Sequence, residues 1–259
     1  MKSGRNSLQH LFPGNALFAL AILVSACHAP THIVLTVSVA ASLQDALVQT
    51  EAAYRNQHRD VEFRNNFGSS GTLAREIEDG APVDAIISAG VKPVDQLETE
   101  GLLQPGSRSD LLRNSLVLIA PKGSGLQGFE QLSDKQVRLI ALGDPASVPA
   151  GQYGQQTLTS LHLYDALKSK IVLCKDVRQV LTYVETGNAD AGLVYATDAR
   201  ISSEVRLSAV APEESHSPIV YPVAEIEGTR NRAAVEVFLG FLRSPEARAI
   251  FERYGFRMA

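Results

Sequence analysis

Gly68-Ser69-Ser70-Gly71-Thr72 is a run of small and hydroxyl-bearing residues between a strand-patterned segment, Val61 to Phe67, and a helix-patterned one, Leu73 to Asp79. In such a turn two or three backbone N–H groups can converge on one point, where the positive end of the following helix favours an anion. A flexible Gly/Ser loop explains the same residues, so this turn alone does not decide. Similar turns follow other strands. In Gly143-Asp144-Pro145-Ala146-Ser147-Val148-Pro149-Ala150-Gly151, Pro149 is placed to open a helix. In Lys175-Asp176-Val177-Arg178, Asp176 is a natural N-cap. Gly192 to Asp198 ends a strand in Tyr195, and Val39 to Asp45 carries Ser42 and Asp45 at capping-box spacing, so Ser42 is expected to cap a helix starting near Leu43. In open α/β sheets ligands sit beyond the carboxyl ends of strands, where helix N-termini meet, and all these turns belong there.

Catalytic signatures are missing. The sequence has no G-x-S-x-G, S-x-x-K, G-x-x-x-x-G-K-[ST] or H-E-x-x-H, and its six histidines are scattered without metal-ligand spacing. Gly123-Ser124-Gly125-Leu126-Gln127-Gly128 is a literal G-x-G-x-x-G after a strand, with Asp144 about twenty residues on, which would suit a dinucleotide. The helical stretch behind it is short and holds Ser133 and Asp134, so a surface connection accounts for these glycines as well.

The positioning elements follow from periodicity. Short β-branched runs alternate with helix-patterned stretches from residue 33 onward, the pattern of an α/β protein with largely parallel sheets. Strands are expected at Ile33–Ala40, Val61–Phe67, Asp84–Ser88, Ser115–Ala120, Val137–Leu142, Ile171–Cys174, Ala191–Tyr195, Val205–Ala211 and Ile219–Ile226. Val177, Val180, Leu181 and Val184 fall on one helical face. Helices are also expected over Ala233–Leu242 and Pro245–Tyr254.

The 259 residues, 45% hydrophobic and 20% charged, can bury a sizeable core as one large or two small domains. Residues 1–26, with Lys2 and Arg5 as their only charges and an apolar run from Ala16 to Ala26, read as an export signal. Val24-Ser25-Ala26-Cys27 also matches the bacterial lipobox, so two alternatives stand: an acylated Cys27 at the mature N-terminus, or ordinary cleavage after Ala26 or Ala29. Removing Lys2 and Arg5 with that segment leaves 22 basic against 28 acidic residues, a net charge of −6. That balance argues against nucleic acid, and it means a bound anion must be held by local donors. With Cys27 and Cys174 as the only cysteines, at most one disulfide can form; Cys174 after Ile171-Val172-Leu173 reads as a core residue.

Taken together, Ala40-Ala41-Ser42-Leu43, Phe67 to Ala74, Gly80-Ala81-Pro82-Val83-Asp84, Gly143-Asp144-Pro145, Val148-Pro149-Ala150-Gly151, Asp176-Val177-Arg178 and Val194-Tyr195 resemble the periplasmic molybdate-binding proteins, over roughly residues 33 to 257. The resemblance implies a two-lobed type II periplasmic-binding-protein fold, each lobe a mostly parallel sheet flanked by helices, with the ligand in the cleft between them. Lobe 1 would comprise 33–115 plus 220–259 and lobe 2 residues 116–219, with crossings at Asn114 to Ala120 and Ser217 to Ala224. It implies a molybdate or tungstate site at Ser42, Ser70, Ala150, Val177 and Tyr195: the serines through hydroxyl and backbone N–H, Ala150 and Val177 through backbone N–H, Tyr195 through its hydroxyl. It further implies a monomer that is no enzyme and holds no cofactor. The protein would work in the periplasm or anchored outside the membrane through Cys27, handing its ion to the permease subunits of an ATP-driven importer. Another tetrahedral oxyanion, sulfate or phosphate, is the alternative ligand. Gly90 to Val94 replaces a tryptophan-containing stretch of many relatives, and Lys175 stands where an acidic residue is usual; neither is a ligand position. Arg178, beside the site in sequence, is expected to reach solvent or a carboxylate.

Overall fold

A computed structural model describes residues 32–259. The export signal, Cys27 and the two cleavage alternatives lie outside the described residues. The chain first forms β1 (Ile33–Ala40), α1 (Gln44–Arg55), β2 (Val61–Gly68), α2 (Ser70–Glu78), β3 (Ala85–Ile87), α3 (Val91–Thr99) and β4 (Ser109–Arg113). Asn114 and Ser115 carry it into a second sheet, built with β5 (Leu116–Pro121), β6 (Ile140–Gly143), α4 (Pro149–Ser160), α5 (Tyr164–Leu167), β7 (Ile171–Cys174), α6 (Val177–Glu185), β8 (Ala191–Tyr195), α7 (Ala196–Arg200) and β9 (Val205–Val210). Residues 211–219 lead back to the first sheet, and β10 (Val220–Glu225), α8 (Arg232–Phe241), α9 (Pro245–Arg253) and β11 (Arg257–Met258) complete the chain.

Strand order is β11-β4-β10-β3-β1-β2 in the first sheet and β7-β6-β8-β5-β9 in the second. β1 runs parallel to β2 and β3, and β6 parallel to β7 and β8. Parallel neighbours need crossover helices, which set helix N-termini at the strands' carboxyl ends. These strands are covered on both faces, which explains why Val37 to Ala40 and Ala191 to Tyr195 are buried without alternation. The apolar face of α6, Val177, Val180, Leu181 and Val184, is buried against the second sheet.

Four expectations need correction. The sheets are mixed rather than mostly parallel. β10 pairs antiparallel with β3 and β4, and β5 with β8 and β9, because the chain leaves the first sheet on β4 and returns beside it on β10. The segments read as crossings lie mostly inside strands β5 and β10, and the passage out of the first sheet is only Asn114-Ser115. β4 and β11 were not expected: Ser109-Asp110-Leu111-Leu112-Arg113 lacks alternation, and Arg257-Met258 is too short to signal a strand. Ser42 caps no helix. It lies in a 3-10 turn, Ala41–Leu43, and its hydroxyl is held by a partner distant in sequence, Tyr221.

Gly151 shows how tightly α4 is seated. A Cβ there would lie 1.9 Å from the Gly143 carbonyl oxygen at the end of β6. The helix N-terminus reaches that strand only without a side chain. Gly151→Ala is therefore expected to lower unfolding free energy by about 3 kcal/mol. Gly123→Ala and Gly125→Ala, in the G-x-G-x-x-G loop where a Cβ meets nothing within 4 Å, should stay close to wild type. Urea unfolding of the three variants checks the contrast.

Candidate functional site

Ser42, Ser70, Ala150, Val177 and Tyr195 all line one small pocket, with Gly68, Ser69, Ala89, Val148 and Asp176 among its other walls. Its volume is about 10 Å³, room for roughly one water-sized group. Pockets for drug-sized organic ligands run to about 300–1,000 Å³, so this one suits a small ion.

Each donor is delivered by an element's end. Ser70 is the first residue of α2, capped by Ser69, whose Oγ accepts the Thr72 N–H at 3.4 Å. Ala150 follows Pro149 in the first turn of α4. Val177 opens α6, whose N-cap Asp176 accepts the Gln179 N–H at 2.8 Å. First-turn N–H groups have no acceptor within their own helix, and those of Ser70, Ala150 and Val177 bond no other part of the described residues. Three helix N-termini thus point unused donors and positive dipole ends at one spot.

The hydroxyls are held by specific partners. Ser70 Oγ accepts the Ala89 N–H at 2.9 Å, which leaves the serine proton free. Tyr195 donates to the Ala89 carbonyl at 3.0 Å, so its single proton is engaged with the backbone. Burial pushes the Tyr195 phenol well above its usual value, and it remains a donor throughout the physiological range. Ala89, which the sequence reading did not single out, therefore ties Ser70 to Tyr195 across the pocket; the available signal was the small-residue run Ser88-Ala89-Gly90 directly after a strand. A second tie is the Gly71 N–H, which donates to the Ser147 carbonyl at 2.9 Å. A Cβ on Gly71 would stand 2.6 Å from that oxygen, so glycine permits the approach.

No cationic side chain lines the pocket, and its one charged wall residue, Asp176, is acidic. Arg178 is not among the walls; its Nη2 lies 2.7 Å from Asp45 Oδ2 and 3.4 Å from the Ser42 carbonyl, and its Nε 2.9 Å from Asp198 Oδ1. The last is an ion-pair contact whose N–H is not aimed for a hydrogen bond, and neither Asp198 oxygen has a hydrogen-bond partner. The G-x-G-x-x-G loop is remote from these walls and leads into a four-residue 3-10 turn, Glu130–Ser133, rather than an α-helix that could receive a pyrophosphate. Among the described residues no cluster of three His, Cys, Asp or Glu side chains could hold a metal ion, and no helix is long and apolar enough to cross a membrane. Burial pushes the Cys174 thiol up to about 11, which keeps it protonated and unreactive.

Asp198 is fully buried, and burial pushes its carboxyl up to about 7 while Arg178 pulls it down and Asp45 adds repulsion. An anion entering the pocket repels the ionised carboxylate and raises its proton affinity further, so binding takes up a proton. Affinity is expected to rise as pH falls from 8 to 6, by on the order of 1 kcal/mol or about fivefold, the scale for two like charges several ångströms apart in a partly screened medium. Asp198→Asn should abolish the dependence in titrations at several pH values. A slope that survives the substitution would assign the proton elsewhere.

Comparison with known proteins agrees with this architecture. Residues 35–257 match the model of the family described as bacterial extracellular solute-binding protein. A Bacillus subtilis protein with the provisional name of ABC transporter substrate-binding lipoprotein is 44% identical, covering 86% of each chain. The molybdate-binding protein ModA of Escherichia coli is 40% identical, over 86% of this chain and 88% of its own length. The periplasmic molybdate-binding protein of Azotobacter vinelandii superposes with a TM-score of 0.78 at 27% identity, over 87% of this chain and 99% of that one. Two mixed sheets with a donor-lined pocket at their helix N-termini, and a match running from β1 to β11, identify the chain as a member of the bacterial extracellular solute-binding protein family.

Proposed function

We propose that this protein captures one molybdate or tungstate ion outside the cytoplasmic membrane and delivers it to the permease subunits of an ATP-driven importer, without catalysing a reaction or holding a cofactor. The observation that carries the reading is the convergence of unused first-turn N–H groups and serine hydroxyls on a pocket with no cationic wall. The relatives' binding of molybdate supplies the choice of ion.

The chemistry suits a fully deprotonated tetrahedral dianion, all of whose oxygens are acceptors. The ligand set is Ser42 and Ser70 through hydroxyls and N–H, Ala150 and Val177 through N–H, and Tyr195 through a hydroxyl that exchanges the Ala89 carbonyl for a ligand oxygen. Sulfate shares the charge and shape but has shorter bonds, so donors spaced for the larger ion leave its hydrogen bonds stretched. Monohydrogen phosphate carries a proton that needs an acceptor, and a shell of donors leaves it unpaired. On this reading 33–115 with 220–259 and 116–219 form two lobes that close over the ion as a monomer, held by the Gly71–Ser147 and Arg178–Asp45 contacts.

Calorimetry should give one molybdate or tungstate per chain, with sulfate and phosphate far weaker; sulfate within about tenfold of molybdate would overturn the choice of ion. A hydrogen bond to a charged group contributes roughly 1.5–3 kcal/mol, so Ser42→Ala and Ser70→Ala should each weaken molybdate about ten- to a hundredfold. Tyr195→Phe should cost less, about three- to tenfold, because the lost ligand bond replaces one that the hydroxyl already makes to Ala89. Neutral serine variants would place the ion somewhere other than this pocket.

A further inference from the structure

Tyr221 and Asn114 do not line the pocket, yet they are joined to it by a hydrogen-bond chain whose direction can be read. Ser42 Oγ and Tyr221 Oη are 2.9 Å apart, and that contact alone lets either oxygen donate. The direction is set one step back. Asn114 Oδ1 accepts the Ser115 N–H at 2.9 Å, which only the carbonyl end of the amide can do. Its NH2 therefore faces the other way and donates to Thr197 Oγ1 at 2.9 Å and to Tyr221 Oη at 3.2 Å. Tyr221 receives from Asn114, so its own proton goes to its other partner, Ser42 Oγ. Ser42 receives in turn, and its proton is left for the pocket.

We propose that Asn114 and Tyr221 are positioning residues that fix the Ser42 hydroxyl as a donor toward the ligand and thereby set discrimination between unprotonated and protonated oxyanions. The inference rests on the oxyanion reading given above. All three side chains are buried, at 7%, 0% and 4% exposure for Asn114, Tyr221 and Ser42. The Tyr221 ring is fixed between Tyr195 and Phe256, at centroid distances of 5.6 and 5.5 Å, and burial keeps its phenol protonated. Asn114 stands at the passage from the first sheet to the second, where its N–H donates to the Ile219 carbonyl on the returning passage at 3.3 Å. A donor oriented in advance in a buried site needs no reorganisation when the ion arrives. The same orientation commits the serine as a donor where the proton of monohydrogen phosphate requires an acceptor.

Titrations of wild type, Tyr221→Phe, Ser42→Ala and the double variant with molybdate, tungstate, sulfate and phosphate test the relay, with thermal melting run alongside. Tyr221→Phe is expected to weaken molybdate about five- to tenfold while phosphate is unchanged or tighter, narrowing the ratio between them. In the Ser42→Ala background the same substitution should change affinity by less than about twofold, because the group it orients is gone. Asn114→Asp supplies a second arm: a carboxylate in place of the amide nitrogen accepts the Tyr221 proton, turns the relay round, and should weaken molybdate more than Tyr221→Phe does. Placed on the Tyr221→Phe background, Asn114→Asp should keep only the loss its added negative charge imposes, about fivefold on every dianion, and lose the part that discriminates between them. Equal weakening of every oxyanion with and without Ser42, or an undiminished Asn114→Asp effect without the phenol, would overturn the proposal. If wild type prefers sulfate, the choice of molybdate fails, and the relay is judged by the same variants against sulfate.

Discussion

A doubly charged oxyanion leaves water only when donors already aimed at it replace its hydration, and a chain with excess acidic residues cannot recruit it by net charge. The architecture follows from that constraint. Parallel strands β1, β2 and β3, and β6, β7 and β8, are joined through helices whose N-termini must lie at the strands' carboxyl ends. Three of these helices, α2, α4 and α6, bring N–H groups that no intrahelical carbonyl can satisfy. The antiparallel strands β4, β5 and β10 carry the chain between sheets, so that donors from both share one pocket.

Much of this was legible in the sequence because it depends on local chemistry. Pro149 as a helix start, Asp176 as an N-cap and the apolar face from Val177 to Val184 are properties of consecutive residues, and the structure has them. What was not legible depends on residues far apart. Ser42 has the spacing of a capping box, but a partner 179 residues away holds its hydroxyl. Nothing in Val220-Tyr221-Pro222-Val223 distinguishes a tyrosine that orients a serine from one that fills a core. Ala89 matters through its backbone, whose two polar groups meet Ser70 and Tyr195, and side-chain type carries no trace of that. The sheets' mixed character escaped for a related reason: strand direction depends on where the chain crosses, and that passage is only two residues, Asn114 and Ser115, too short to stand out as a linker between two sheets.

Arg178 shows why the pocket is built without a cation touching it. A guanidinium inside the pocket would attract sulfate, phosphate and carboxylates alike, since charge does not report bond length or protonation. Here Arg178 follows Val177, whose N–H is a ligand donor on the proposed reading, yet its charge is taken by Asp45 and Asp198. Two carboxylates around one guanidinium leave no net positive charge to act on the pocket while both are ionised. The guanidinium still contributes by contact. From α6 it reaches Asp45 of α1 and the Ser42 carbonyl, tying the strand end that carries Ser42 to the helix that carries Val177. Buried Asp198 makes this arrangement adjustable, because a carboxyl held near neutrality by burial lets the cluster gain positive charge whenever an anion favours its protonation. On the proposed reading, the pocket then keeps its selectivity in aimed neutral donors and draws a modest electrostatic gain from a group outside its walls.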